Sequence, residues 1–189
     1  MKNKLIAVDL DGTMIDTMPV NYESYRMALE ENGYSVTPEI FREKCFGSYY
    51  RNFLPILMPE ADEKEIIRIH ERKKELYPSC ASSGRRNDML YELICSLRST
   101  GEWYSALVTT GNRKNTMEIL SAFGCLDIFD VILANEDVEK SKPDPEGYLK
   151  AMEMFNVTPE NTLIFEDSKT GIAAAKASGA VVAVVDLYS

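Results

Sequence analysis

The chain has 189 residues, 45% hydrophobic and 27% charged, with 30 acidic against 21 basic side chains and a net charge of -9. That is the balance of an ordinary globular protein with room for one core and a small appended domain. Its sign argues against a nucleic-acid surface or an anionic membrane as the main partner.

The N-terminal stretch MKNKLIAVDLDG has too few apolar residues for a signal peptide or a membrane span. Its KLIAVD segment, residues 4–9, is short, apolar and ended by acid, which predicts a buried first strand. From about Thr17 to Arg86 the pattern is helical. Tyr22, Tyr25, Ala28 and Leu29 share one face of a helix ended by Gly33, and Thr37-Pro38 opens a second. Asp62 and Glu65 form a capping-box pair ahead of Ile66, Ile69 and Leu76, while Pro55 and Pro59 mark breaks. Pro78–Asn87, rich in Ser, Cys and Gly, reads as a return linker.

Four further strands are predicted at Tyr104–Val108, Val131–Ala134, Leu163–Phe165 and Val181–Val185. Between them, Lys114–Phe123 and Lys169–Ser178 read as helices closed by Gly124 and Gly179. A third begins with Asp144 as N-cap and Pro145 in the first turn, burying Leu149, Met152 and Phe155. The alternation predicts an α/β fold: a Rossmann-like open parallel sheet of five strands in order 3-2-1-4-5. Residues 1–15 and 87–189 would form this core, and 16–86 a small helical domain inserted after strand 1.

In such a sheet, ligands bind beyond the carboxyl ends of the strands, where strand order reverses. With strand 1 central, Asp9-Leu10-Asp11, Thr109-Thr110-Gly111-Asn112 and Glu166-Asp167-Ser168 meet at one rim. Four carboxylates (Asp9, Asp11, Glu166, Asp167) resist sharing that rim without a cation, and hard oxygen ligands with room for water suit Mg²⁺. Lys142, in SKPDP, adds a positive charge that can neutralise a bound phosphate. An aspartate is ionised at neutral pH and can attack phosphorus without an activating base. Asp9 is therefore the candidate nucleophile, and Asp11 the candidate proton shuttle.

These stretches, DLDGT (Asp9–Thr13), the strand-end Thr109, Lys-Pro-Asp-Pro (Lys142–Pro145) and FEDSKTGIAAAKASGA (Phe165–Ala180), resemble the four ordered motifs of the haloacid dehalogenase superfamily. They are closest to its helical-cap branch of phosphoglycolate phosphatase-like and β-phosphoglucomutase-like enzymes. The resemblance implies that Asp9 forms an aspartyl-phosphate and binds Mg²⁺. Asp11 would act as acid and base and lend its carbonyl to the metal. Thr109, the amide of Thr110 and Leu10 would hold the phosphate, with Lys142 bridging nucleophile and phosphate. Asp167 would ligate the metal, with Glu166 in or just behind its shell. Relatives that attack carbon lack an acid two residues after the nucleophile, so Asp11 points to phosphoryl chemistry.

The implied activity is a Mg²⁺-dependent phosphatase acting on a small phosphorylated metabolite. A phosphomutase and a non-catalytic phosphate-binding module remain alternatives; a phosphonate-cleaving enzyme, which would need a cap lysine such as Lys44, has no support. A receiver domain also gathers acids, Thr and Lys around Mg²⁺, but the motif order and the helical insertion oppose it. Arg51, in FGSYYRNF, is a candidate contact to the leaving group with Lys44 assisting, against the plainer reading of a solvated or paired arginine. Tyr49 and Tyr50 read as packing, and His70 with Arg72, Lys73 and Lys74 as a solvated helix face. His70 is the only histidine, so counting excludes a His-based triad or a multi-histidine metal site. Cys45, Cys80, Cys95 and Cys125 lack any CxxC spacing and read as reduced thiols of a cytoplasmic protein. No nucleic-acid or membrane partner is expected; oligomeric state is open, and a monomer is compatible with the sequence.

Overall fold

The computed structural model describes residues 2–186. In chain order the elements are β1 (Lys4–Val8), β2 (Ile15–Asp16), α1 (Met18–Glu30), α2 (Pro38–Ile40), α3 (Tyr50–Leu57), α4 (Glu63–Leu76), β3 (Arg85–Arg86), α5 (Asp88–Ser99), β4 (Trp103–Val108), α6 (Arg113–Ala122), β5 (Val131–Leu133), α7 (Glu146–Phe155), β6 (Thr162–Glu166), α8 (Lys169–Ala177) and β7 (Val181–Val184). The chain divides into two compact units, one of residues up to Asp16 with Arg86 onward, the other Thr17–Arg85.

The first unit carries a five-stranded sheet in the order β5-β4-β1-β6-β7, every pairing parallel. This is the 3-2-1-4-5 order expected from the alternation of strands and helices. After Lys4, central β1 is apolar, as a strand covered on both faces must be: Leu5, Ile6, Ala7 and Val8 are all buried. Register then sets the rim. Val8 stands opposite Leu107 of β4 and Phe165 of β6, so the residues that follow these strands emerge side by side.

Helices α7 and α8 supply Tyr148, Ala151, Met152, Ala174 and Ala175 to the core against Leu5, Ala7, Val108 and Ile164. Here α7 departs from expectation: Leu149 is exposed, and Tyr148 and Ala151 take the inward positions beside Met152. Gly147 lies where an added Cβ would stand 2.7 Å from Val108 Cγ1, so the helix approaches β4 on this side and turns Leu149 outward. The helix also begins at Glu146, one residue later than predicted, yet Asp144 Oδ1 still accepts from the Glu146 amide at 3.1 Å. Spacing in the sequence does not single out helix α5. Its exposed Met89 and Leu93 lie among the buried Leu90 and Ile94 and blur the apolar stripe.

The second unit packs α1 and α4 around Tyr25, Phe41, Phe53, Leu54 and Ile69. Tyr25 and Phe41 both meet Phe53 edge-on, at centroid separations of 5.2 and 6.3 Å. The expected Asp62 cap is present, its carboxylate accepting from the Glu65 amide at 2.8 Å. Pro55 does not break α3 but sits inside it, where burial of Phe53 and Leu54 holds the turn despite the missing N–H. Nor is the return segment wholly irregular: Tyr77–Ser83 forms a 3₁₀ helix that buries Tyr77, Cys80 and Ala81. His70 and Lys73 are not on a solvated face. His70 Nδ1 lies 2.7 Å from the Tyr25 hydroxyl and its ring stacks on Tyr50, while Lys73 is buried and donates to Asn21 Oδ1 at 2.7 Å.

Candidate active site

Asp9 follows β1 directly, its amide donating to the Phe165 carbonyl at 3.1 Å and so fixing it against β6. The chain then reverses through Gly12 at φ +83°, a left-handed conformation that favours glycine. The turn closes with Gly12 N donating to Ile15 O at 2.8 Å, and Asn87 Nδ2 donating to Thr13 O at 3.1 Å. An added Cβ at Gly12 would overlap the Asp167 carboxylate, so glycine also makes room for an acid arriving from β6. Thr13, fully buried, donates its hydroxyl to Asp167 Oδ1 at 2.9 Å.

Lys142 joins the clusters. Its Nζ donates to Asp9 Oδ1 at 2.5 Å, to Glu166 Oε1 at 2.6 Å and to the Val108 carbonyl at 2.9 Å, which occupies all three ammonium protons. The side chain is 8% exposed and Glu166 not at all, so the charges are compensated within the protein rather than by water. Glu166 is held from every side. Oε1 also accepts from the Tyr148 hydroxyl at 2.7 Å, and Oε2 accepts from the Asp167 amide at 3.2 Å and Ser168 Oγ at 3.4 Å. Gly171 of α8 is required for this packing, because a Cβ there would lie on the Glu166 carboxylate.

Burial drives the Asp9 carboxyl well above the usual carboxylate range; the Lys142 ammonium opposes that, and Glu166 and Asp11 reinforce it. Asp167 is also raised, first by burial, with the Thr13 hydrogen bond opposing and Glu166 adding to the rise. Burial alone would pull Lys142 down, but Asp9 and Glu166 outweigh it and hold the ammonium protonated. Carboxylate oxygens of Asp9, Glu166 and Asp167 lie within 4.8 Å of one another. Such an all-oxygen set fits a hard divalent cation.

Thr109 follows β4 at the same rim. Its buried Oγ1 accepts from the Gly111 amide at 3.0 Å, leaving the hydroxyl proton to point elsewhere. Thr110 is exposed, Leu10 is buried and Asp11 half-buried in the turn after β1. Thus Asp9, Lys142, Glu166 and Asp167 are in mutual contact or close to it, with Thr109 on the adjoining strand. Arg51 belongs to the second unit, where it pairs with Glu63 and stands 5.7 Å from the Tyr50 ring centre; Lys44 is exposed there. Thr13, Tyr148 and Gly171 escaped the sequence reading. Thr13 and Gly171 lie inside quoted motifs, yet only the fold shows what their atoms touch.

The chain matches the family model described as haloacid dehalogenase-like hydrolase over residues 6–185. It is 34% identical over 179 residues to the phosphorylated carbohydrates phosphatase of Thermotoga maritima, covering 92% of this chain and 81% of that one. It is 31% identical over 186 residues to the phosphoglycolate phosphatase of Nitrosospira multiformis, covering 93% and 80%. Among solved structures, CbbY from Rhodobacter sphaeroides in complex with phosphate aligns with a TM-score of 0.81 at 26% identity, covering 99% and 88%.

Proposed function

Since the chain belongs to the haloacid dehalogenase-like hydrolases, we propose that it is a Mg²⁺-dependent phosphatase of small phosphorylated metabolites, working through an aspartyl-phosphate on Asp9. The observation that carries this reading is the Asp9–Lys142–Glu166 ion cluster at the carboxyl edge of β1, with Asp167 alongside. Names of the relatives support the substrate class: two are phosphatases of phosphorylated carbohydrates and of phosphoglycolate, and a third holds phosphate.

In the first step Asp9 Oδ attacks phosphorus while the bond to the leaving oxygen breaks, and Asp11 gives that oxygen its proton. Asp11 then takes a proton from water as the water attacks the acyl phosphate, freeing inorganic phosphate and restoring Asp9. Thr109 donates its free hydroxyl proton to the phosphoryl oxygens, assisted by the amides of Leu10 and Thr110. Lys142 holds Asp9 in line and neutralises charge on the transferring group. Asp9, Asp167 and the carbonyl of Asp11 would hold the divalent ion, with Glu166 behind them because its oxygens already have donors. When bound, the ion supplies positive charge that favours ionised Asp9 and offsets charge developing on the phosphoryl group. Arg51 fits a structural ion pair with Glu63 better than a substrate contact. The helical unit would serve as the cap domain, and the four free thiols accord with a cytoplasmic location.

A screen of phosphorylated metabolites for released phosphate tests the reading, with Asp9→Asn expected to lower turnover at least about 10³-fold. Full turnover in that variant would refute the covalent route. Millimolar Mg²⁺ should raise the melting temperature in proportion to the logarithm of its concentration above Kd, by mass-action linkage. Strict dependence on a sugar bisphosphate would transfer the reading to a mutase.

A further inference from the structure

We propose that Tyr148, a residue of the α7 core face, is a positioning residue whose hydroxyl sets Lys142 on Asp9 by anchoring Glu166. This rests on the phosphatase reading above. Side by side on the inward surface of α7, Tyr148 and Met152 are both buried in the apolar cluster, where a phenylalanine ring would fill the space of Tyr148 equally well. What the phenol adds is one hydroxyl, in a place where a polar group without a partner is costly. That hydroxyl donates to Glu166 Oε1 at 2.7 Å.

The same oxygen accepts from Lys142 Nζ at 2.6 Å. Two donors on one carboxylate oxygen divide its charge and fix its direction, so the lysine meets a restrained partner. Lys142 spends its other protons on Asp9 Oδ1 and Val108 O, and its Nζ lies 5.1 Å from the centre of the Tyr148 ring. The chain Tyr148–Glu166–Lys142–Asp9 therefore runs unbroken from the core to the nucleophile. Burial first, then the Glu166 and Asp9 carboxylates, raise the phenol far above its ordinary pKa, so it stays a donor. Without the hydroxyl, Glu166 Oε1 has only Lys142 to satisfy it. The lysine is drawn toward Glu166 and away from Asp9, and the nucleophile loses its alignment without losing phosphate contacts at Thr109.

Tyr148→Phe keeps the ring and tests the hydroxyl alone. With a phosphate monoester that the native protein hydrolyses, kcat should fall about tenfold or more while KM stays within about twofold. A double-mutant cycle with Glu166→Met, which leaves the hydroxyl no acceptor at that position, tests the route: adding Tyr148→Phe to Glu166→Met should lower neither kcat nor the melting temperature further. Native kcat in Tyr148→Phe, or the same fractional loss in both backgrounds, overturns the proposal. A matched loss of kcat and rise of KM overturns it too, since that is the mark of a general disturbance of the site. Inactivity of the native protein toward every monoester would fall on the phosphatase reading and remove the proposal with it.

Discussion

Each unit of this protein buries a lysine, and each lysine has its own set of neighbours. Lys142 in the α/β unit faces two carboxylates and a carbonyl, all within 2.9 Å. Lys73 in the helical unit donates to the neutral amide oxygen of Asn21 and lies 4.2 Å from the centre of the Tyr77 ring and 5.2 Å from that of Tyr25. The first arrangement concentrates acids that would otherwise repel, and under the function proposed above it is where a further cation and an anionic group are handled. The second sets Lys73 beside an amide dipole and two aromatic faces, and ties α4 to α1. What singles out Lys142 is the convergence of two buried carboxylates on one ammonium group.

The widest gap between the two should appear on removing each cation. Lys142→Met is expected to abolish measurable turnover and to cost roughly 3–5 kcal/mol, since Asp9 and Glu166 are left buried without their partner. Kinetics and urea unfolding measure the two effects separately; near-native turnover would erase the distinction drawn here. Gly171→Ala comes next. Its methyl group meets the Glu166 carboxylate, and a loss of roughly 3 kcal/mol with reduced activity is expected. Unchanged stability would mean that Glu166 can leave its place at little cost.

Lys73→Met should cost less stability than Lys142→Met, because a methionine can occupy the same aromatic surroundings, and should leave turnover near native. A collapse of activity in that variant would blur the contrast between the two lysines. The last effect is one of pH. Burial first, then Lys74 and Lys73, bring His70 down to about 4 from its ordinary 6.5. The unfolded chain therefore takes up a proton before the folded one does. Stability from neutral His70 is present above pH 6.5 and is lost as pH falls toward 4. Melting between pH 7 and pH 5 should show a shallow fall that His70→Phe reduces; an identical fall in that variant would mean other groups set it.

The order of the sheet was legible in the sequence because short apolar runs alternating with helix-period segments leave few topologies open. The site was legible in its acids and its lysine for a related reason. Asp9, Asp11, Glu166 and Asp167 close apolar strands, and carboxylates in that position are costly enough to need an explanation. Leu149 was misread because several apolar residues of α7 compete for the inward face, and only packing against β4 chooses among them. His70 and Lys73 were misread because a charged helix looks solvated until neighbouring aromatic rings cover it.

By itself, then, the sequence determined strand type, strand order and the identity of the charged groups, all of which follow from local period and from the cost of acid beside apolar strand. Tertiary structure alone decided which hydroxyl holds which carboxylate, where glycine is obligatory and which carboxylates meet Lys142. Some of those choices depend on approaches of 3 Å or less between segments more than a hundred residues apart, such as Thr13 with Asp167 and Lys142 with Asp9. No local pattern encodes such distances, because they arise only when parallel strands align their ends.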